Sequence, residues 1–162
     1  MAEGDLPAPP VIARRTLAAD PKIFYTSDPL VYAYAMSGRW KECVARAESG
    51  QAATGDVPDF AAAICYAHVG NSQRTRQMLA QLEAAARTRY VDSSDIAAIH
   101  ATLGDKDAAL TALEQAYRDR SQLLLNFWFL PWFKSLHGEP RYAALYEKIY
   151  PGTKLPAVES SR

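Results

Sequence analysis

Three glycines, Gly38, Gly70 and Gly104, stand 32 and 34 residues apart, each between two apolar stretches of helical period. A repeat of that length with a chain reversal at its centre restricts the chain to stacked helix-turn-helix units, since one such unit cannot bury its apolar face alone. The register on either side agrees. Four residues before the glycine stand Tyr34, Tyr66 and His100; seven before stand Val31, Ala63 and Ala97; eight before stand Leu30, Ala62 and Ile96. Five residues after it come Cys43, Thr75 and Ala109, nine after come Ala47, Leu79 and Leu113, and twelve after come Gly50, Leu82 and Ala116.

This spacing resembles the tetratricopeptide repeat over residues 28 to 119. That family carries a small residue and a Tyr on the first helix, Gly at the turn, and Ala, a large apolar residue and Ala on the second. The resemblance is strongest in Asp95-Ile-Ala-Ala-Ile-His-Ala-Thr-Leu-Gly-Asp-Lys-Asp-Ala-Ala-Leu-Thr-Ala-Leu-Glu-Gln-Ala-Tyr117. That stretch is similar to the C-terminal repeats of bacterial multidomain regulators, where a segment of the type Pro-x-Phe-x-x-Leu-x-x-Asp-Pro-Arg-Phe follows. Here the closing segment is Pro131-Trp-Phe-Lys-Ser-Leu-His-Gly-Glu-Pro-Arg-Tyr142. The chain departs from the pattern at His100, at Ser72, and in having an aromatic two residues after the turn glycine, Trp40, in the first repeat alone. The resemblance implies an all-α, tetratricopeptide-like antiparallel helix-pair solenoid of about three repeats with a C-terminal helical cap.

Local signals set the expected boundaries. Residues 1–27 form a Pro-rich N-terminal extension with a lead-in helix expected over Val11 to Ala19. Asp28-Pro29 supplies an N-cap and a proline at the first helical position, starting a helix that runs to Ser37. A second helix spans Trp40 to Ser49, and the loop Gly50 to Val57 follows. Pro58 and Asp59 open a third helix that stops at Gly70, and Asn71 caps a fourth from Ser72 to Arg87. Asp92-Ser-Ser-Asp95 opens the fifth, and Asp105 caps a sixth ending near Arg118. Residues 120–150 are read as apolar capping helices, one over Gln122 to Leu130 and one from Pro140 to Ile149, with a loose tail over 151–162.

Close to half the chain is apolar, enough for one domain with a shared core. Eighteen basic and eighteen acidic residues cancel, leaving no global field to draw in nucleic acid. Arg74, Arg76, Arg87, Arg89, Arg118 and Arg120 lie on or beside the second helices, where they solvate an outer face or stabilise helix C-termini. Cys43 and Cys65 read as small buried hydrophobes and not as a disulfide, although neighbouring helices can bring them close. Neither has a second Cys or a His at ligand spacing, so no metal and no cofactor is expected. The start Met1 to Pro10 carries acids in place of a basic n-region and lacks an apolar h-region. The expected location is cytoplasmic, or periplasmic if a leader has been removed. No apolar run is long enough to span a membrane.

In a stack of this kind the first helix of each pair lines a concave face. Its positions are Asp28, Tyr32, Ala35 and Met36, then Phe60, Ile64, Ala67 and His68, then Ser94, Ala98, Ala101 and Thr102. Several tetratricopeptide domains hold a C-terminal carboxylate with Lys, Asn and Arg at such places, but these positions carry no base, so a carboxylate clamp is rejected. The expected binding groove is Tyr32, Met36, Phe60, Ile64 and His68, taking an apolar peptide or helix of another protein. The bland alternative is that the chain fills this groove itself, with Ile23-Phe24-Tyr25 or the C-terminal helix.

Leu123 to Phe133 is eleven residues with a single polar side chain, too apolar on all sides for a surface helix. It either caps the last repeat or leaves an interface patch of Phe127, Trp128, Leu130, Trp132 and Phe133 for a homodimer, a larger complex or a membrane surface. An enzyme reading rests on His68, His100 and Asp95, but no nucleophile elbow, phosphate loop or zinc helix motif accompanies them. His137, beside Gly138, is expected in an exposed turn. The leading expectation is a non-catalytic adaptor or accessory subunit; the alternative is a structural subunit of a larger, membrane-associated assembly docked through residues 123–133.

Overall fold

The computed structural model describes residues 9–19, 27–49, 57–153 and 155. Expectations for the extreme N-terminus, for Ile23-Phe24-Tyr25, for the loop over 50–56 and for most of the tail lie outside these residues. Among the described residues the fold is all-helical, with no strand. The elements are α1 (Pro9–Ala19), α2 (Pro29–Met36), α3 (Trp40–Glu48), α4 (Phe60–His68), α5 (Ser72–Ala85), α6 (Ser93–Leu103) and α7 (Lys106–Arg118). Two 3-10 helices, Gln122–Phe129 and Pro131–Leu136, precede α8 (Pro140–Ile149). The chain divides into two compact units, Met1–Gln81 and Leu82–Arg162.

The three turns share one hydrogen-bond geometry. Gly38, Gly70 and Gly104 all have positive φ, at 68°, 87° and 85°, the left-handed conformation that closes a helix and suits a residue without a Cβ. In each turn the next residue donates its N–H to the carbonyl four residues before the glycine: Arg39 to Tyr34 at 2.9 Å, Asn71 to Tyr66 at 2.8 Å, Asp105 to His100 at 2.9 Å. The same residue then accepts the first bond of the following helix, from Cys43, Thr75 and Ala109 respectively. A fourth turn of this kind follows α7, where Arg120 takes φ 58° and Ser121 donates to the Ala116 carbonyl at 2.9 Å. With no glycine to mark it, this turn left no signal in the sequence.

In the first unit α2 packs on α3 and α4 packs on both, with α1 against α2. Asp28 caps α2 by accepting from Leu30 and Val31, and Asp59 caps α4 by accepting from Ala61 and Ala62. The two caps are joined, since Asp59 also accepts from the Ser27 hydroxyl at 2.6 Å and the Asp28 N–H at 2.9 Å. Burial pushes the Asp59 carboxyl above its ordinary pKa, with these donors opposing the shift. Arg46 on α3 pairs with fully buried Asp28 at 2.9 Å. Thr75 of α5 donates to the Ala63 carbonyl at 2.9 Å, and Cys43 one repeat earlier lies 3.6 Å from the corresponding Val31 carbonyl.

The reading of Cys43 and Cys65 as unbridged is corrected: they form a disulfide, with Cα atoms 6.2 Å apart. Both occupy positions for small buried side chains, as expected, but on α3 and α4, and the packing of these helices brings the two sulfurs together.

In the second unit α6 and α7 form the most extensively packed pair. Asp92 caps α6 through Ser94 and accepts the Ser121 hydroxyl at 2.7 Å. Ser121 in turn caps the first 3-10 helix by accepting from Leu123. Arg141 at the start of α8 grips Glu114 of α7 with two bonds, at 2.9 and 3.0 Å. The α-helix expected over Gln122 to Leu130 is a 3-10 helix. Pro131 ends it by holding Leu130 extended, at ψ 129°, and opens a second 3-10 helix that was not expected.

Candidate functional site

The expected groove residues are differently exposed. Tyr32 and Met36 on α2 are half-buried and His68 is exposed, but Phe60 and Ile64 on α4 are 4% and 0% exposed. Open side chains at those two positions are therefore corrected. Helix α4 is apolar around its whole circumference, and such a helix is stable only when covered on every side. Tyr32 meets Phe60 edge-on at 6.1 Å. His68 lies flat on Trp40, ring centres 3.9 Å apart, and loss of hydration lowers its pKa.

The residues of the enzyme reading have structural surroundings. His100 lies 3.3 Å from Glu83 and 3.7 Å from Asp105. Asp95 is buried in the first turn of α6. Five residues along a helix amount to about 140° of rotation, which turns Asp95 and His100 toward different faces. His137 is not the exposed turn residue expected: it is half-buried and stacks on Tyr142 at 5.1 Å. Its ring nitrogens are shielded from solvent without a hydrogen bond of normal geometry. Burial lowers its pKa, and the Trp128 backbone opposes that only in part. Among the described residues no group of three His, Cys, Asp or Glu is placed to hold a metal, and no helix is long and apolar enough to cross a membrane.

Among the described residues the apolar closing segment carries three exposed large apolar side chains, and Val11 and Ile12 on α1 are exposed as well. A 3-10 helix has three residues per turn, so its side chains stand in three rows and one row faces the core. That row is Leu124 and Phe127, both buried, and the extended Leu130 that follows the helix is buried too. Phe127 is the centre of an aromatic cluster, 4.9 Å from Tyr142, 6.4 Å from Tyr146 and 6.5 Å from Phe133. Phe127, Leu130, Trp132 and Phe133 are thus interior and Trp128 is half-buried, which corrects the expected patch. The other two rows carry the exposed apolar residues Leu123, Leu125 and Phe129, at 36%, 61% and 47%. Sequence reasoning named other residues because a segment apolar on all sides gives no period from which to tell its buried side.

Beside Leu125 opens a recess of about 560 Å³ lined by Tyr117, Arg118, Arg120, Leu124, Lys148 and Ile149, among others. The C-terminal ends of α7 and α8 and the beginning of the 3-10 helix form its walls. Tyr150, just beyond α8, donates its hydroxyl to the Leu125 carbonyl and fixes that wall. The recess and the exposed rows together offer an apolar surface with a basic margin. Compared with known proteins, the chain matches no family model, no curated protein and no solved structure.

Proposed function

We propose that this protein is a non-catalytic adaptor or accessory subunit of tetratricopeptide-like build, which binds another protein through the outer face of its apolar closing segment. The observation that carries this reading is the exposure of Leu123, Leu125 and Phe129 on a helix whose third row already fills the core. Large apolar side chains gathered on one element of a folded chain are the usual mark of a contact surface. The tetratricopeptide-like reading is supported by the identical turn geometry at Gly38, Gly70 and Gly104.

A site on the closing segment is preferred to the groove of Tyr32, Met36, Phe60, Ile64 and His68, because burial removes Phe60 and Ile64 from the surface. The Cys43–Cys65 bridge favours an oxidising compartment over the cytoplasm.

The test is a native pull-down from source cells with the wild-type chain, a Leu125→Asp/Phe129→Asp variant and a Phe60→Ala variant, each checked for helicity by circular dichroism. The expected result is a co-purifying chain lost with Leu125→Asp/Phe129→Asp alone. A partner lost only with Phe60→Ala would return the site to the groove, and no partner from any bait would overturn the adaptor reading.

A further inference from the structure

The recess beside Leu125 has a charge pattern that the apolar surface alone does not explain. Arg118, Arg120 and Lys148 all line it. Arg118 bonds the neutral Gln115 side chain, at 2.6 and 3.0 Å. The acids of the surrounding elements bond other groups, Glu114 to Arg141, Asp119 to Gln115 and Ser93, and Glu147 to the Gly152 N–H, and none of the three is among the residues that line the recess, although Glu114 also feels the charges of Arg118 and Lys148. Cations in the last turns of α7 and α8 offset the partial negative charge of those helix ends, roughly half a unit each. The lining itself carries three cations and no carboxylate.

Arg120 sharpens the point. It occupies the left-handed turn position that glycine fills in each of the three earlier turns. An L-residue there costs about 1 kcal/mol, and what the chain gains is a guanidinium on the wall of the recess.

We infer that this surface receives an acidic amphipathic helix of a partner protein, whose apolar side covers Leu123, Leu125 and Phe129 and whose carboxylates pair with Arg120 and Lys148. The inference rests on the adaptor reading and specifies the chemistry of its partner. The eight-residue 3-10 helix is roughly 16 Å long at 2 Å per residue, which matches about three turns of α-helix. Such a helix, laid along an apolar strip and anchored by leucine-type side chains, is a common mode of docking. A bilayer is disfavoured because the cations line a recess, which a flat lipid surface does not enter.

The experiment uses the full chain and fluorescence anisotropy of two labelled helical peptides. Both have leucines at i, i+3, i+4 and i+7; one carries glutamates elsewhere, the other lysines. The glutamate peptide should bind and the lysine peptide should not, with affinity falling as salt is raised. Arg120→Gly/Lys148→Glu should weaken binding about tenfold or more. Glycine is the residue the turn favours, and a melt checks that Lys148→Glu in the last turn of α8 leaves the fold intact. Equal binding of both peptides, no binding of the acidic one, or no effect of the double variant overturns the inference. So does preferential binding to phosphatidylserine vesicles, or a dimer on light scattering that covers the same face. A pull-down partner lost with Leu125→Asp/Phe129→Asp but kept with Arg120→Gly/Lys148→Glu leaves the adaptor reading standing and removes the acidic partner.

Discussion

The two compact units handle their most apolar helices differently. In the first, α2 and α4 are helices rich in apolar residues, and packing encloses nearly everything on α4 from Phe60 to Tyr66. Its buried Ser27, Asp28 and Asp59 are chained together and to Arg46, Thr75 bonds the Ala63 carbonyl, and a disulfide ties α3 to α4. In the second, the most apolar segment is wound as a 3-10 helix and leaves Leu123, Leu125 and Phe129 in solvent. A helix enclosed on all sides is a core element, whereas one with a single buried row serves two surfaces. Under the proposed function, the second unit is the one that meets a partner, through these three side chains.

The strongest way to break this comparison is to truncate the row that faces the core. Phe127→Ala should destabilise the second unit by about 3–5 kcal/mol, as for large cavities in tight cores, while Leu125→Ala on the exposed row should change stability by less than about 0.5 kcal/mol. Urea melts of the two variants decide it, and similar losses would mean that the rows are misassigned. Next is the bridge. Cys43→Ala/Cys65→Ala should cost the first unit about 3 kcal/mol by releasing a loop of some two dozen residues. Hydrogen exchange should show faster exchange in α3 and α4 and none of this in α6 and α7.

A smaller effect concerns acid. The pKa of His137 is lowered by burial, so the unfolded chain takes up that proton first as pH falls. This group's contribution is intact above the unfolded value, near 6.5, and is lost as pH drops below it toward the folded value. His137→Phe should flatten the fall in melting temperature between neutral pH and mild acid, and an unchanged slope would show that the ring is not shielded. The smallest expected change is a gain: Arg120→Gly relieves a left-handed arginine and should stabilise by about 0.5–1 kcal/mol, the strain relief being reduced by the added freedom of the unfolded chain. A melt showing loss instead would mean that the Arg120 side chain, more than its backbone, supports the fold.

Much of this architecture could be read in the residues. The turn glycines, the Asp28, Asp59 and Asp92 caps, and the proline starts at Pro29 and Pro140 are local signals, and each sits at a helix end in the structure. The turn at Arg120 was not legible, since its residue type argues against the conformation it takes. The site was less legible than the fold. Tyr32, Met36 and His68 retain exposure, but Phe60 and Ile64 do not, because repeat position alone does not tell whether a face of a short stack is open. Within Leu123 to Phe133 the total of apolar residues was clear, and which of them face water depended on helix type.

The sequence by itself determined the helical class, the capped and glycine-marked ends of the helices from α2 to α7, and the small buried positions at Cys43, Thr75 and Ala109. Those follow from capping, backbone freedom and periodicity, which act over a few residues. Tertiary structure decided that Cys43 and Cys65 meet, that α4 is enclosed, and that Leu123, Leu125 and Phe129 stay outside beside Arg120 and Lys148. Each of these depends on which elements pack together and at what helical pitch, quantities set by contacts between residues far apart in the chain.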